Sequence, residues 1–438
     1  MKVDGSRVVV VGMARSGVAA VRLLLDKGAI VRAVDEKPMG EVLGITVELQ
    51  TEEVFREADL VVLSPGVPAD LDLLRDVRAR GVPVIGDLEL AAPYLEGQTI
   101  GITGSNGKTT TTALTGHILQ QAGIACQVGG NIGTPPASMV ETSRPDQWNV
   151  LELSSFQLET IQTLRAAVGV CLNVTPDHLD RHHSFENYAA AKGRLFDTQH
   201  TGDFAVLNAD DPSCVAYASR TPANVQWFSL ERPVAPGAWL ENEAVRVDGE
   251  LLLEAKQIPL RGRHNVENTM AAALASRLAG ASLPQIAEAV CTFPGVEHRL
   301  ELVREIDGVE YFNDSKATNT DATLKAIAAF SGGLWIILGG KDKDSDYTVL
   351  REPLRAKARA ALLIGSAAKK IAAQLGDVTL TLHCGTLAAA LEEAHEQAQP
   401  GDTVLLAPAC ASFDQFDNYE HRGRVFKELV NALAEGVR

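Results

Sequence analysis

Apolar residues along this chain fall into short continuous runs separated by stretches of helical spacing. Arg7 to Val11 is such a run, rich in β-branched residues, and Ser16 to Lys27 follows with Val18, Val21, Leu24 and Leu25 at helical intervals. Ile30 to Val34, Leu60 to Leu63 and Val82 to Ile85 are further runs. Runs this apolar suit parallel strands covered on both faces. Beyond residue 93 the pattern predicts strands at Thr99 to Ile102, Asn149 to Leu153, Val168 to Val174 and Phe204 to Leu207. Trp239 to Val247 and Glu250 to Glu254 flank Asp248-Gly249, a hairpin signal. Helical patterns run from about His264 to Leu278 and from Leu283 to Val290. A second hairpin around Asp307-Gly308 opens the last segment. Strands at Leu334 to Leu338, Ala361 to Ile364, Thr379 to His383 and Thr403 to Leu406 and a helix at Val425 to Ala434 follow.

The alternation predicts an α/β protein. At roughly 150 residues per domain, 438 residues suggest about three domains. The expected division is a Rossmann-like N-terminal domain over 1–92, a central P-loop ATPase-like domain over 93–298 and a doubly wound α/β domain over 299–438, with Tyr94 to Gln98 as a linker. An apolar fraction of 46% allows each a core. The net charge of −16 argues against a nucleic-acid backbone or an anionic membrane as partner, though basic residues can gather in one cleft. No apolar run approaches the roughly eighteen residues of a membrane span. MKVDGSRVVVVG leads directly into a strand and is not read as a signal peptide. Six scattered cysteines without a CxxC pair argue against a disulfide framework or zinc site. The expectation is a soluble, reduced, cytoplasmic protein.

Candidate chemistry concentrates at the ends of predicted strands. TGSNGKTTT, Thr103 to Thr111, stands between the strand Thr99 to Ile102 and a helical pattern through Leu114, Ile118 and Leu119. A glycine-rich turn there aims backbone N–H groups at one point, and the helix N-terminus adds partial positive charge. Gly104, Ser105, Asn106, Gly107 and Thr110 would line a nucleoside triphosphate, with Lys108 on its outer phosphates and the Thr109 hydroxyl on Mg²⁺. Ile102 replaces the usual first glycine, which points to a shorter-loop variant; the plain alternative is a glycine turn with a surface lysine. GMARSG, Gly12 to Gly17, carries Ala14 where the dinucleotide fingerprint has glycine, and Asp35 ends the next strand, about where an acidic residue would take ribose hydroxyls. A nucleotide other than NAD fits this turn better, and a purely structural turn is the alternative. Ser64-Pro65-Gly66 would lie on the same sheet edge.

Glu152 ends a strand beside the phosphate loop, placed for Mg²⁺ or for solvent. His178 follows a strand among acidic neighbours, while His182 and His183 default to loop surface and Lys192 reads as a surface lysine. Asn265 and Asn268 stand one helical turn apart and could face one ligand; Asn265 could equally cap the helix. Arg299 could close onto phosphates. Three polar segments, 313–319, 339–343 and 409–416, follow strands of the last sheet and could open toward one cleft. Within them Cys410 reads as a core thiol rather than a nucleophile, since no histidine partner is evident.

Taken in order, GMARSG, SPGVP, TGSNGKTTT, GGNIG, LELSSFQLE, LNVTPDHLDRH, AAKGRLF, RGRHNVEN, EHRLE, NDSKATN, LGGKDKD and PACASFDQF resemble the Mur ligases over the whole chain. LELSSFQLE and ACASFDQF favour the branch that adds D-glutamate to UDP-N-acetylmuramoyl-L-alanine in peptidoglycan synthesis. The resemblance implies an ATP-dependent ligase with two Mg²⁺ sites, its first domain binding UDP, its second ATP and its third the amino acid; no nucleic-acid partner, no membrane insertion and a monomer are expected. It implies that Lys108 and Thr109 hold the triphosphate and Mg²⁺, that Glu152 is a magnesium ligand, and that His178 serves a second magnesium site. Lys192 matches a lysine that family members carry as an N-carboxylated (carbamate) side chain. Asn265, Asn268, Arg299 and Asp314 are implied for ATP, and Asn131 for the muramoyl substrate. Thr318, Lys343, Ser412, Phe413 and Tyr419 are implied for D-glutamate, and Ala14, Arg15, Ser16 and Asp35 for the UDP part. Amide ligases acting on folate or cyanophycin would share the central loop without a UDP-linked substrate.

Overall fold

A computed structural model describes residues 2–37, 39–342 and 344–436. Its contacts divide the chain into two compact units: Met1–Pro259 with Arg263–Phe293, and Leu260–Gly262 with Pro294–Arg438.

The first unit contains two sheets. One has six strands in the order Glu41–Val42, Ile45–Leu49, Ile30–Asp35, Arg7–Val11, Leu60–Leu63, Val84–Gly86, all parallel except the first. Its Val-rich strands are buried on both faces, and the helix Arg15–Asp26 packs Ala20, Val21 and Leu24 against one of them. The second sheet has nine strands. Five parallel ones lie in the order Phe204–Asn208, Val168–Cys171, Gln98–Thr103, Trp148–Glu152, Cys126–Gly130. Asn224–Ser229 and Gly237–Glu241 continue the parallel run beyond Phe204–Asn208, and two antiparallel strands close that edge. In both sheets the first strand lies inside, with later strands added on either side, so the chain changes direction at its carboxyl end. Such switch points are where α/β sheets bind ligands.

The second unit has one sheet in the order Glu301–Ile306, Val309–Asn313, Thr403–Leu406, Leu334–Gly339, Ala358–Ile364, Leu380–Gly385. It is parallel apart from the first strand, with apolar clusters on both faces.

Most predicted strands occur within one or two residues of their expected ends. Trp239 to Val247, expected as one strand, is two: Gly237–Glu241 and Ala244–Val247. Asn242 and Glu243 both take positive φ, 50° and 58°, and form a two-residue hairpin turn of their own before Asp248-Gly249 forms the next. Cys126–Gly130 carried no strand signal because two of its five residues are glycine. Asn265 lies inside the helix Arg263–Leu278 and so is not its cap.

Candidate active site

The strand Gln98–Thr103 feeds the loop 104–107 and the helix Lys108–Gln121. Gly107 has φ +85°, and a Cβ there would lie 2.2 Å from Asn268 Oδ1, so the turn admits only glycine beside that side chain. The loop is tied to the segment after the neighbouring strand. Asn106 N donates to Asn173 Oδ1 at 2.8 Å, Ser105 N to Asn173 O at 2.8 Å, and Ser105 Oγ to Thr175 O at 2.9 Å. The Ser105 and Tyr188 hydroxyls share a 2.9 Å hydrogen bond. Thr110 is buried, Thr109 half-buried. From the helix Arg263–Leu278, Asn268 Nδ2 donates to Asn265 Oδ1 at 2.9 Å, and Thr111 Oγ1 lies 3.3 Å from Asn268 Oδ1. Asn268 therefore stands against the first turn of the helix Lys108–Gln121, with Asn265 bonded to it.

Two ammonium groups converge on one carbonyl. Lys108 Nζ donates to Gly104 O at 2.8 Å and Ser105 O at 3.0 Å, and Lys192 Nζ donates to the same Gly104 O at 2.8 Å. Lys192 is 1% exposed and sits 4.7 Å above the Tyr188 ring. Burial, with Lys108 adding repulsion, pushes its amine down to about 7. A surface lysine was expected from local sequence; the helix Phe185–Gly193 instead turns this residue inward with Tyr188, one turn earlier.

Glu152 ends the adjacent strand and is buried. Its Oε1 accepts from Asn131 Nδ2 at 3.1 Å, while Oε2 is buried without a hydrogen-bond partner. An orphaned buried carboxylate oxygen next to a phosphate loop fits a hard cation. No group of three His, Cys, Asp or Glu residues forms a metal cage among the described residues.

His178 follows the strand Val168–Cys171 in left-handed conformation (φ 52°), exposed, its Nε2 3.5 Å from Asp177 Oδ2. The ring packs at 4.9 Å against Phe156, which also stacks on His182 at 5.5 Å and carries the Arg181 guanidinium at 5.0 Å. His182, expected on the surface, is buried: its Nε2 lies 3.0 Å from Ser155 Oγ, and burial lowers its pKa to about 4, leaving it neutral. Nothing in the HH pair distinguishes a buried ring from an exposed one. Tyr188 was also missed, although its spacing from Lys192 is a usable signal.

At the other switch point, Ser64 Oγ donates to Gly12 O at 2.6 Å, and a Cβ on Gly17 would lie 1.8 Å from that oxygen. Ala14 and Arg15 are exposed and Ser16 half-buried. Arg15 Nη2 donates to Gly133 O at 2.9 Å. Asp35 Oδ2 accepts from Met13 N at 2.7 Å, which turns the carboxylate back onto the glycine turn. Asn131 is exposed, its backbone N–H bonded to Glu152 O at 2.8 Å.

In the second unit the three polar segments leave the adjacent parallel strands Val309–Asn313, Thr403–Leu406 and Leu334–Gly339, so their starts share one edge. Asp314 is buried and accepts from Leu300 N at 3.3 Å; burial pushes its carboxyl up to about 6 against the pull of Arg299, which is half-buried. Thr318 and Tyr419 are half-buried, Ser412 is buried, and Phe413 is 65% exposed. Lys343 lies outside the described residues. Ser315 Oγ donates to Tyr419 O at 2.8 Å. Arg422, unforeseen, is fully buried and reaches Ser315 Oγ at 2.9 Å and Cys410 O at 3.2 Å, joining two of the segments. The Cys410 thiol lies 3.0 Å from the Tyr347 hydroxyl, and burial raises it to about 11, so it is a core thiol.

A glycine-rich loop between strand and helix, an orphaned carboxylate and two inward lysines gather at one sheet edge, and comparison gives the family. Residues 6–86 match the Mur ligase MurD-like N-terminal domain, 102–276 the Mur ligase middle domain, and 298–410 the Mur ligase glutamate ligase domain. The chain belongs to the Mur ligase family of ATP-dependent amide ligases, which use ATP and Mg²⁺. It is 61% identical over 438 residues to the UDP-N-acetylmuramoylalanine--D-glutamate ligase of Solibacter usitatus (strain Ellin6076), covering 99% of each chain. It is 45% identical over 455 residues to the ligase of the same name from Myxococcus xanthus (strain DK1622), covering 99% of this chain and 100% of that one. In fold it resembles the UDP-N-acetylmuramate-alanine ligase of Thermotoga maritima at 18% identity and a TM-score of 0.63, covering 98% of this chain and 100% of that one. A pseudomurein peptide ligase type C from Methanothermus fervidus aligns over the same shares at 19% identity and a TM-score of 0.59. Among the described residues no helix is long and apolar enough to cross a membrane.

Proposed function

We propose that this chain joins D-glutamate to UDP-N-acetylmuramoyl-L-alanine, releasing ADP and phosphate, in the synthesis of peptidoglycan precursors. Two relatives of that name, at 61% and 49% identity, support the substrate pair. The observation that carries the chemistry is the joint placement of Lys108, Lys192 and Glu152 around the loop 104–107.

A carboxylate resists amines at neutral pH because its oxygen is a poor leaving group. Transfer of the ATP γ-phosphoryl group to the L-alanine carboxylate gives an acyl phosphate. The D-glutamate amine attacks its carbonyl carbon, loses a proton, and phosphate departs with the C–O bond. The first step brings two anions together. Lys108 and the loop N–H groups offset that repulsion where the charge develops. Thr109 and Glu152 would hold Mg²⁺, and His178 and Lys192 would serve a second ion, each ion supplying further charge neutralisation. Lys192 would do so as a carbamate: its neutral amine would add to CO₂ and lose a proton, replacing a cation by an anion. Its burial and low amine pKa favour that reaction, since only the neutral amine is nucleophilic.

In this reading residues 1–92 bind the UDP part through Ala14, Arg15, Ser16 and Asp35, and 93–298 bind ATP through 104–110, Asn265 and Asn268. Asn131 meets the muramoyl group. Residues 299–438 supply Arg299 and Asp314 for ATP, and Thr318, Lys343, Ser412, Phe413 and Tyr419 for D-glutamate. The test is phosphate release from ATP with UDP-N-acetylmuramoyl-L-alanine and a panel of amino acids. Release is expected with D-glutamate and with both substrates present. Equal release with folate in place of the UDP substrate, or with no amino acid, refutes the assignment.

A further inference from the structure

Asp87 opens the short helix Asp87–Ala91 that follows the last strand of the first sheet. It is 1% exposed. Its carboxyl faces the side chains of Ser16 and Gln157. Neither of its oxygens makes a hydrogen bond of normal geometry, and Gln157 Nε2 is likewise buried without a partner. A buried carboxyl in this condition is costly to the fold, and its acidity reflects the cost: burial raises it to about 6. A hydrophobic residue would fill the space more cheaply, so the position calls for a reason beyond packing.

The two neighbours supply one. Ser16 belongs to the glycine turn Gly12–Gly17 and stands second in the helix Arg15–Asp26. Gln157 lies in the helix Ser155–Leu158, and its Oε1 accepts from Ser154 N at 3.2 Å in a capping box, two residues beyond Glu152. The short helix that carries this carboxyl therefore packs against both the helix that follows the turn of the first sheet and the segment that leaves the Glu152 strand end in the second.

We infer that Asp87 is a positioning residue that holds the Ser16 hydroxyl and the Gln157 amide, registering the turn that grips the UDP-linked substrate against the strand end that carries Glu152. This rests on the assignment of the Gly12–Gly17 turn to the UDP part of the substrate.

The test is steady-state phosphate release with Asp87→Asn, Ser16→Ala and the double variant. Asp87→Asn is expected to raise KM for UDP-N-acetylmuramoyl-L-alanine about tenfold, the scale of one hydrogen bond to a charged group. KM for ATP and for D-glutamate stay near native. Ser16→Ala raises the same KM, and the double variant is no worse than the poorer single one, since both break one contact. Should the amide not fold, Asp87→Ser leaves room for a water and is held to the same outcome. A uniform fall in kcat and melting temperature with that KM unmoved makes Asp87 a packing residue and overturns the inference, as do additive effects of the two substitutions. An unmoved KM in Ser16→Ala removes the UDP assignment itself, whereas a raised KM there beside a native one in Asp87→Asn removes only the inference.

Discussion

The turn Gly12–Gly17 and the loop 104–107 both leave the carboxyl end of an interior strand at the switch point of a parallel sheet, and both run into a helix. Their backbones offer the same thing, N–H groups and a helix N-terminus. Their side chains differ in how the cations are placed. The loop gathers two lysine amines on Gly104 O, and the orphaned Glu152 Oε2 lies at the end of the neighbouring strand. In the turn the one cation, Arg15, is exposed and reaches away to Gly133 O, and the acid Asp35 is folded onto Met13 N. On the proposed function, the loop serves phosphoryl transfer and the turn holds the nucleotide part of the other substrate.

That contrast can be broken at either turn. Lys192→Ala is expected to be inactive in phosphate release, with partial recovery in Lys192→Glu, which restores an anion; full activity of the alanine variant would exclude a carbamate. Lys108→Ala should lower kcat by roughly 10²-fold or more, the scale of one electrostatic stabiliser. Near-native turnover would take the loop out of the chemistry. Asp35→Ala should leave kcat close to native and raise KM for the UDP-linked substrate about tenfold, as for one hydrogen bond to a charged group. A fall in kcat instead would give the two turns the same role.

The smallest expected effect concerns the second unit. The Asp314 carboxyl stands at about 6 in the fold because it is buried, against an ordinary value near 4. The folded chain binds that proton more tightly than the unfolded one, so stability falls as pH rises from about 4 to about 6. Asp314→Asn should therefore melt a few degrees above the native protein at pH 8 and match it at pH 4. The same gain at both pH values would mean the carboxyl is not the cause.

The sequence carried the backbone part of this picture well and the inward-facing part poorly. Arg7–Val11, Leu60–Leu63 and Thr403–Leu406 are apolar apart from the leading Arg7 and Thr403, so their period and burial were legible directly. Glycines at 104 and 107 between strand and helix marked the loop for the same reason. Lys192, His182 and Arg422 gave no such mark. Each is a polar side chain whose burial depends on which way a helix turns against partners distant in sequence: Gly104, Ser155 and Ser315. Only ordered motif resemblance singled out Lys192, and nothing singled out the other two. The split of Trp239 to Val247 was hidden because Asn242-Glu243 lacks the glycine that usually announces a tight turn.

The account depends on the γ-phosphoryl group passing to the substrate carboxylate. Its most direct test uses UDP-N-acetylmuramoyl-L-alanine labelled with ¹⁸O in the alanine carboxylate, with ATP, Mg²⁺ and D-glutamate, and mass analysis of the released phosphate. The account predicts one ¹⁸O atom in each phosphate, carried over when the acyl phosphate breaks. Unlabelled phosphate accompanied by product would contradict it.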